Sequence, residues 1–142
     1  MLLKQSRRFE VKVVLDTNVL VSGIFWGGAP LKILNHWKKE KIELLTSDLI
    51  LEEYLRTLQR LSEKMARPDL YKAWALILSS RLKLVSVKKS FRLCRDPNDD
   101  MFIDCAIAGK ARYIISGDQD LLVLKQVMSV RIVDSKHFLL TM

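Results

Sequence analysis

The chain has 142 residues, 49% hydrophobic and 28% charged, the size and mixture of one globular domain over 1–142 that folds without disulfide support. No disordered chain has this apolar content, and no unbroken run of 18 apolar residues is present that could span a membrane. Lys and Arg number 24 against 16 Asp and Glu, a net charge of +8 that draws the protein toward polyanions, with nucleic acid the first candidate.

In chain order, Met1–Arg8 is basic but lacks the apolar core and cleavage site of a secretory signal, so a cytoplasmic location is expected by default. Val11 to Leu15 is an apolar, β-branched run broken only by Lys12, the pattern of a central parallel strand buried on both faces; it ends at Asp16. Asn18 to Phe25 and Leu31 to Lys39 read as helices parted by the breaker Gly27 and Gly28. Ile42 to Leu45 is a short strand, and Ser47 is the N-cap of a helix running to about Glu63. Pro68 opens a helix to about Arg81, and Leu84 to Val87 is a weak strand. Asp96 to Gly109 reads as a helix, Tyr113 to Ser116 as a strand and Asp118 to Lys125 as a short helix. Val130 to Val133 is the last strand, before a terminal helix from Asp134. Strands alternating with helices predict βαβ units, hence a mainly parallel sheet with helices on both faces and a ligand site beyond the carboxyl ends of the strands.

That edge decides which acids meet. Asp16 and Asp118 follow two strands directly, while Glu53 and Asp100 lie early in crossover helices that begin at the same edge. On a helical wheel Glu53 falls at the margin of the apolar stripe of Leu51, Tyr54, Leu55, Leu58 and Leu61, whereas Glu52 sits among Arg56, Gln59 and Arg60, where a solvated ion pair accounts for it. The helix after Asp99 is apolar nearly all round except for Asp100 and Asp104, which share one face. Like charges four apart are unfavourable unless a cation or another partner compensates them. Asp96 before Pro97 reads as a cap, and Asp99 is open to the same reading. Carboxylates clustered in a basic chain suit a hard divalent cation, Mg²⁺ or Mn²⁺, and metal-assisted phosphodiester cleavage.

Other chemistries lose support. No glycine-rich phosphate cradle and no serine nucleophile elbow is present. Cys94 and Cys105 match no zinc spacing and are expected reduced and structural, and His36 and His137 stand alone. Trp26, Trp37 and Trp74 lack a base-stacking pattern and are assigned to the core or to a partner surface, Phe25 and Trp26 also being placed to line an active-site loop. Lys88, Lys89, Arg92 and Arg95, directly before the acidic helix, are candidates for holding nucleic-acid phosphates; Lys38, Lys39 and Lys41 are the alternative.

Four stretches carry a resemblance: Val13-Val14-Leu15-Asp16-Thr17-Asn18-Val19-Leu20-Val21-Ser22, Leu49-Ile50-Leu51-Glu52-Glu53-Tyr54, Asp96-Pro97-Asn98-Asp99-Asp100 and Tyr113-Ile114-Ile115-Ser116-Gly117-Asp118-Gln119-Asp120-Leu121-Leu122. In order and spacing they resemble the PIN domain family, particularly the VapC-type toxins of bacterial toxin-antitoxin pairs. The resemblance implies a three-layer α/β/α sandwich with a central mainly parallel sheet and a Mg²⁺- or Mn²⁺-dependent endoribonuclease. It places the family's acidic quartet on Asp16, Glu53, Asp100 and Asp118. Asn18 and Ser116 match the polar residues that orient the first and last acids, Ser116 standing where Thr is commoner. Asp104, less regularly acidic in the family, is left as an extra ligand, a supporting group or a salt-bridge partner. A homodimer and an antitoxin covering the site are further implications, with no role at a membrane. Two alternatives stay open: a silent PIN-like module that binds RNA without cutting it, opposed by the intact quartet, and a phosphatase of the haloacid dehalogenase type, opposed by Asn18 where that chemistry needs Asp.

Overall fold

The computed structural model describes residues 11–142; Met1–Arg8, from which the lack of an export signal was read, lies outside the described residues. The first strand, β1 (Val11–Leu15), is followed by helices α1 (Thr17–Phe25) and α2 (Gly28–Lys38), then by β2 (Ile42–Thr46). Helices α3 (Asp48–Lys64) and α4 (Pro68–Arg81) lead to β3 (Lys83–Leu84), and a 3₁₀ turn (Pro97–Asp99) precedes α5 (Asp100–Ala108). The chain ends with β4 (Tyr113–Ile115), α6 (Gln119–Leu122), β5 (Gln126–Val127), β6 (Val130–Val133) and α7 (Ser135–Leu140).

The strands form one sheet in the order β3-β2-β1-β4-β6-β5. All neighbouring pairs are parallel except β5 with β6. Val13, Val14 and Leu15 are all buried although successive side chains of a strand point to opposite faces, so both faces of β1 are covered. This is the expected three-layer arrangement, with α5 lying on β1, β2 and β4. Gly23 lets α1 and α2 pack closely, because a Cβ there would stand 2.7 Å from Leu34 Cδ1 and 3.0 Å from the Pro30 carbonyl carbon. Trp37 and Trp74 are in or against the core as expected, whereas Trp26 is exposed.

From β1 the chain steps one way along the sheet to β2 and β3, then returns across β1 to β4 and on to β6. The direction of winding reverses between β1 and β4, and the crevice at the carboxyl ends of two such strands is where α/β sheets bind ligands. Asp16 and Asp118 follow those two strands.

Several boundaries differ from the sequence expectation for physical reasons. The segment expected as one helix from Asp96 to Gly109 begins as a 3₁₀ turn, because Asp96 accepts a hydrogen bond from Asn98 N at 3.0 Å and Pro97 fixes the first turn. The weak strand expected at Leu84 to Val87 pairs only over Lys83–Leu84, after which Val85 N still donates to the Thr46 carbonyl at 2.7 Å. The helix expected from Asp118 to Lys125 is the single turn Gln119–Leu122: Asp118 caps its start, and the chain turns through Lys125 at φ 60° into β5 at Gln126. The short β5 to β6 hairpin has no sequence counterpart: its turn puts Met128 at φ 53°, a conformation usually signalled by Gly or Asn.

Candidate functional site

The strand-to-helix junctions place the first acids. Asp16 is the N-cap of α1, and its carboxylate accepts from Asn18 N at 3.4 Å and from Ser116 Oγ at 2.7 Å. Ser116 Oγ in turn accepts from Asp118 N at 2.9 Å, so one hydroxyl ties the end of β1 to the end of β4. Asp118 is the N-cap of α6 and accepts from Asp120 N at 2.9 Å. Capping explains why Asp is tolerated at both junctions, because its oxygen satisfies an otherwise unpaired amide of the first turn. Capping does not explain the crowding. Asp16 is only 6% exposed. Burial raises its pKa, with the negative charges of Asp118 and Glu53 adding to the rise and the hydrogen bonds from Ser116 and Asn18 opposing it.

Helix α3 brings in Glu53. Thr17 Oγ1 donates to Glu53 Oε2, and the next residue, Tyr54, donates its hydroxyl to the Leu15 carbonyl. Two consecutive side chains thus dock the start of α3 on the end of β1. Glu52 is exposed and pairs with Arg56 at 3.3 Å, as the wheel predicts.

A fourth acid comes from a residue that sequence reasoning did not choose. Asp99, at the end of the 3₁₀ turn, is 8% exposed, and its Oδ2 has no hydrogen-bond partner. Burial and the charges of Asp118, Asp16 and Asp96 push its carboxyl up to about 7. One oxygen from each of Asp99, Asp118 and Asp120 lies within 4.8 Å of the others. The sequence signal for Asp99 was present, a second acid after Asp96-Pro97, but Asp99 makes no side-chain cap bond at the start of α5.

Asp100 and Asp104 face elsewhere. Asp100 Oδ1 accepts from Cys94 N at 2.8 Å and Asp104 Oδ1 from Phe91 N at 2.9 Å. Their shared face, expected from the wheel, anchors the segment before the 3₁₀ turn through two backbone amides, so the compensating partners are amides and not a lysine or arginine. With Glu53 they line a cavity of about 700 Å³ whose other walls include Arg56, Lys88, Lys89 and Arg92. Arg95 is exposed and is not among the residues lining that cavity. Asn18 is exposed and acts on Asp16 through its backbone amide; with Ser116 it lines a second cavity of about 500 Å³ beside Pro30 and Lys136. Both cysteines are free, and burial pushes each thiol up to about 12.

The donor set suits a hard divalent cation: buried or half-buried carboxylates, one with an orphaned oxygen, and no nitrogen or sulfur ligand in the cluster. No helix among the described residues is long and apolar enough to cross a membrane.

Comparison with known proteins agrees with this architecture. The family model of the PIN domain matches residues 12–120. An uncharacterized protein of Methanocaldococcus jannaschii, MJ1680, is 32% identical over 126 residues, which cover 87% of this chain and 81% of the relative. Among solved structures, VapBC2 from Rickettsia felis bound to a DNA fragment from its promoter has a chain of similar fold, with a TM-score of 0.60 at 17% identity, covering 86% of this chain and 97% of the other. A family model spanning most of the sequence, on a sheet whose reversal point gathers the acids of all its matching motifs, makes this chain a member of the PIN domain family.

Proposed function

We propose that the protein is a divalent-metal-dependent endoribonuclease that hydrolyses RNA phosphodiester bonds, acting in the cytoplasm as the toxin of a toxin-antitoxin pair. The observation that carries this reading is the convergence of carboxylates at the β1/β4 reversal, where Asp99 Oδ2 is buried without a partner. Asp16, Asp99 and Asp118 would hold Mg²⁺ or Mn²⁺ with Glu53 beside Asp16, whereas Asp100 and Asp104, expected from the sequence as ligands, each spend an oxygen on a backbone amide. The cation supplies the positive charge that acidifies an attacking water and offsets charge on the phosphodiester.

The chain's own residues do the remaining work. Ser116 fixes the Asp16 carboxylate by donating to Oδ2, and Thr17 does the same for Glu53, so two acids are held before any ligand arrives. Lys88, Lys89 and Arg92 line the same cavity as Glu53, Asp100 and Asp104, and bind the backbone phosphates of an incoming strand. Without a cation the acids would repel that strand, so binding of metal and substrate is coupled. The likeness in fold to a chain of VapBC2 supports the toxin reading and an antitoxin partner, and the family resemblance adds a homodimer.

Incubation of purified protein with a mixed RNA pool, with and without Mg²⁺ or Mn²⁺, followed by mapping of the ends, tests the reading. Defined new ends only with metal are expected. Binding without cleavage would establish a silent RNA-binding module instead, and release of inorganic phosphate from small phosphomonoesters a phosphatase.

A further inference from the structure

Lys38, Lys39 and Lys41 take no part in the site at the carboxyl ends of the strands. They lie at the opposite edge of the sheet, where α2 ends and β2 begins. Lys41 directly precedes Ile42, which pairs with Val11 at the start of β1. Arg112 N donates to the Lys12 carbonyl at 2.8 Å, and Arg131 N to the Arg112 carbonyl at 3.0 Å. Lys41, Lys12, Arg112 and Arg131 therefore follow one another across the neighbouring strands β2, β1, β4 and β6, at intervals of about 4.8 Å.

Helices of a βαβ fold end at this edge, and a base there complements the helix dipole. That accounts for Lys38 and Lys39 at the end of α2 and for Lys110 after α5. It does not account for the row on the strands. Lysine is disfavoured within strands, yet Lys12 stands in central β1 with its side chain exposed. Like charges side by side on neighbouring strands repel. Glu43 is in register with Lys12, but among the described residues none of the four bases of the row is in an ion pair. A polyanion laid along the edge removes that repulsion, as a cation does for the acids at the other edge.

We propose that the amino-terminal edge of the sheet is a second docking face for RNA, where Lys41, Lys12, Arg112 and Arg131 hold backbone phosphates of the substrate outside the segment being cut. This rests on the ribonuclease reading above and extends it to the length of the substrate. Lys12 and Asp16 are separated by about 13 Å along β1, so an RNA uses both edges only if it is long enough to pass from one to the other. The row presents charge alone, which suits a sugar-phosphate backbone. A protein partner would call for an apolar interface core, where lysine is depleted.

Fluorescence anisotropy of a labelled long polyuridine, titrated with the full chain in chelator where the acid edge repels RNA, reads this face directly. Lys12→Gln with Arg112→Gln is expected to weaken binding by about tenfold and to flatten the slope of log affinity against log salt by up to about 1.4, at about 0.7 per single-strand phosphate contact. Lys41→Gln with Arg131→Gln should do the same. Lys32→Gln with Lys72→Gln removes equal charge from exposed positions on α2 and α4 and should stay within about twofold of the parent. With Mn²⁺, the row variants should lose more cleavage on a long RNA than on a short one carrying the same cut site. Circular dichroism checks that each variant is folded. No binding by the parent in chelator, parent-like affinity and salt slope in both row variants, equal loss in the helix control or equal loss on both RNA lengths would each overturn the docking face. Polyglutamate displacing the RNA as well as unlabelled polyuridine does would also overturn it, assigning the edge to an acidic protein segment. A parent that cuts RNA while the row variants bind normally loses only this face. A parent that holds RNA through the row but cuts none keeps the face and loses the ribonuclease reading.

Discussion

Asp99 and Asp100 share a residue type, a sequence neighbourhood and nearly the same burial, but Asp100 has an amide to satisfy it and Asp99 has none. Asp104 resembles Asp100 in accepting from the amide of an earlier segment, Phe91 N, whereas Asp16 and Asp118 accept only from the first turns of the helices they cap, apart from the Ser116 hydroxyl on Asp16, and lie beside other carboxylates. A buried acid with a backbone donor is an anchoring device, and its position follows from the chain it holds. A buried acid among acids adds repulsion to the fold, and it makes physical sense where a cation completes the group. Partners therefore separate the roles of these acids better than acidity does.

The largest effects should fall on turnover. Glu53→Gln is expected to lower the cleavage rate by about a hundredfold, while Glu52→Gln, exposed and paired with Arg56, should stay within about threefold. Reversed results would mean that the face of α3 turned toward Thr17 is not the functional one.

Next come the anchoring acids. Asp100→Ala and Asp104→Ala each leave a backbone amide without its acceptor and should cost about 1–3 kcal/mol, with faster hydrogen exchange at Cys94 or Phe91 respectively. The Asn variants keep an acceptor oxygen and should recover most of that loss. Equal stability of the Ala and Asn variants would remove the anchoring role.

The repelled acid should show the opposite sign. The Asp99 carboxyl lies at about 7 in the folded chain against an ordinary 3.8. A raised carboxyl pKa favours the folded state below the ordinary value, and the benefit is lost as pH rises toward 7. In chelator, Asp99→Asn should therefore melt above the parent at pH 8, with the gap narrowing toward pH 4. A gap independent of pH would show that the charge of Asp99 is not the cause. The smallest effect is expected at Tyr54→Phe, which loses the bond to the Leu15 carbonyl and should cost about 1 kcal/mol while sparing the core.

Much of this arrangement was legible in the sequence because it follows from strand ends and helix faces. Val11 to Leu15 and Tyr113 to Ser116 are apolar enough to read as buried strands, which placed Asp16 and Asp118 at one edge, and the α3 wheel separated Glu53 from Glu52. Periodicity also put Asp100 and Asp104 on one face, but it could not show that their partners were amides in a segment earlier in the chain. Asp99 was hidden because, standing just before the helix, it reads as a cap like Asp96, and only the 3₁₀ turn shows that it makes no side-chain cap bond. The β5 strand was missed because two residues carry no alternation, and Met128 is an unusual occupant of its turn.

The most direct test of the central claim is the Mn²⁺ dependence of single-turnover cleavage of one defined RNA by the parent, Asp16→Asn and Asp118→Asn. Cleavage by the parent that rises with Mn²⁺ to saturation and vanishes in chelator, together with a loss of about a hundredfold or more in both variants, is the predicted result. Undiminished cleavage in chelator, or full activity in either variant, would contradict it.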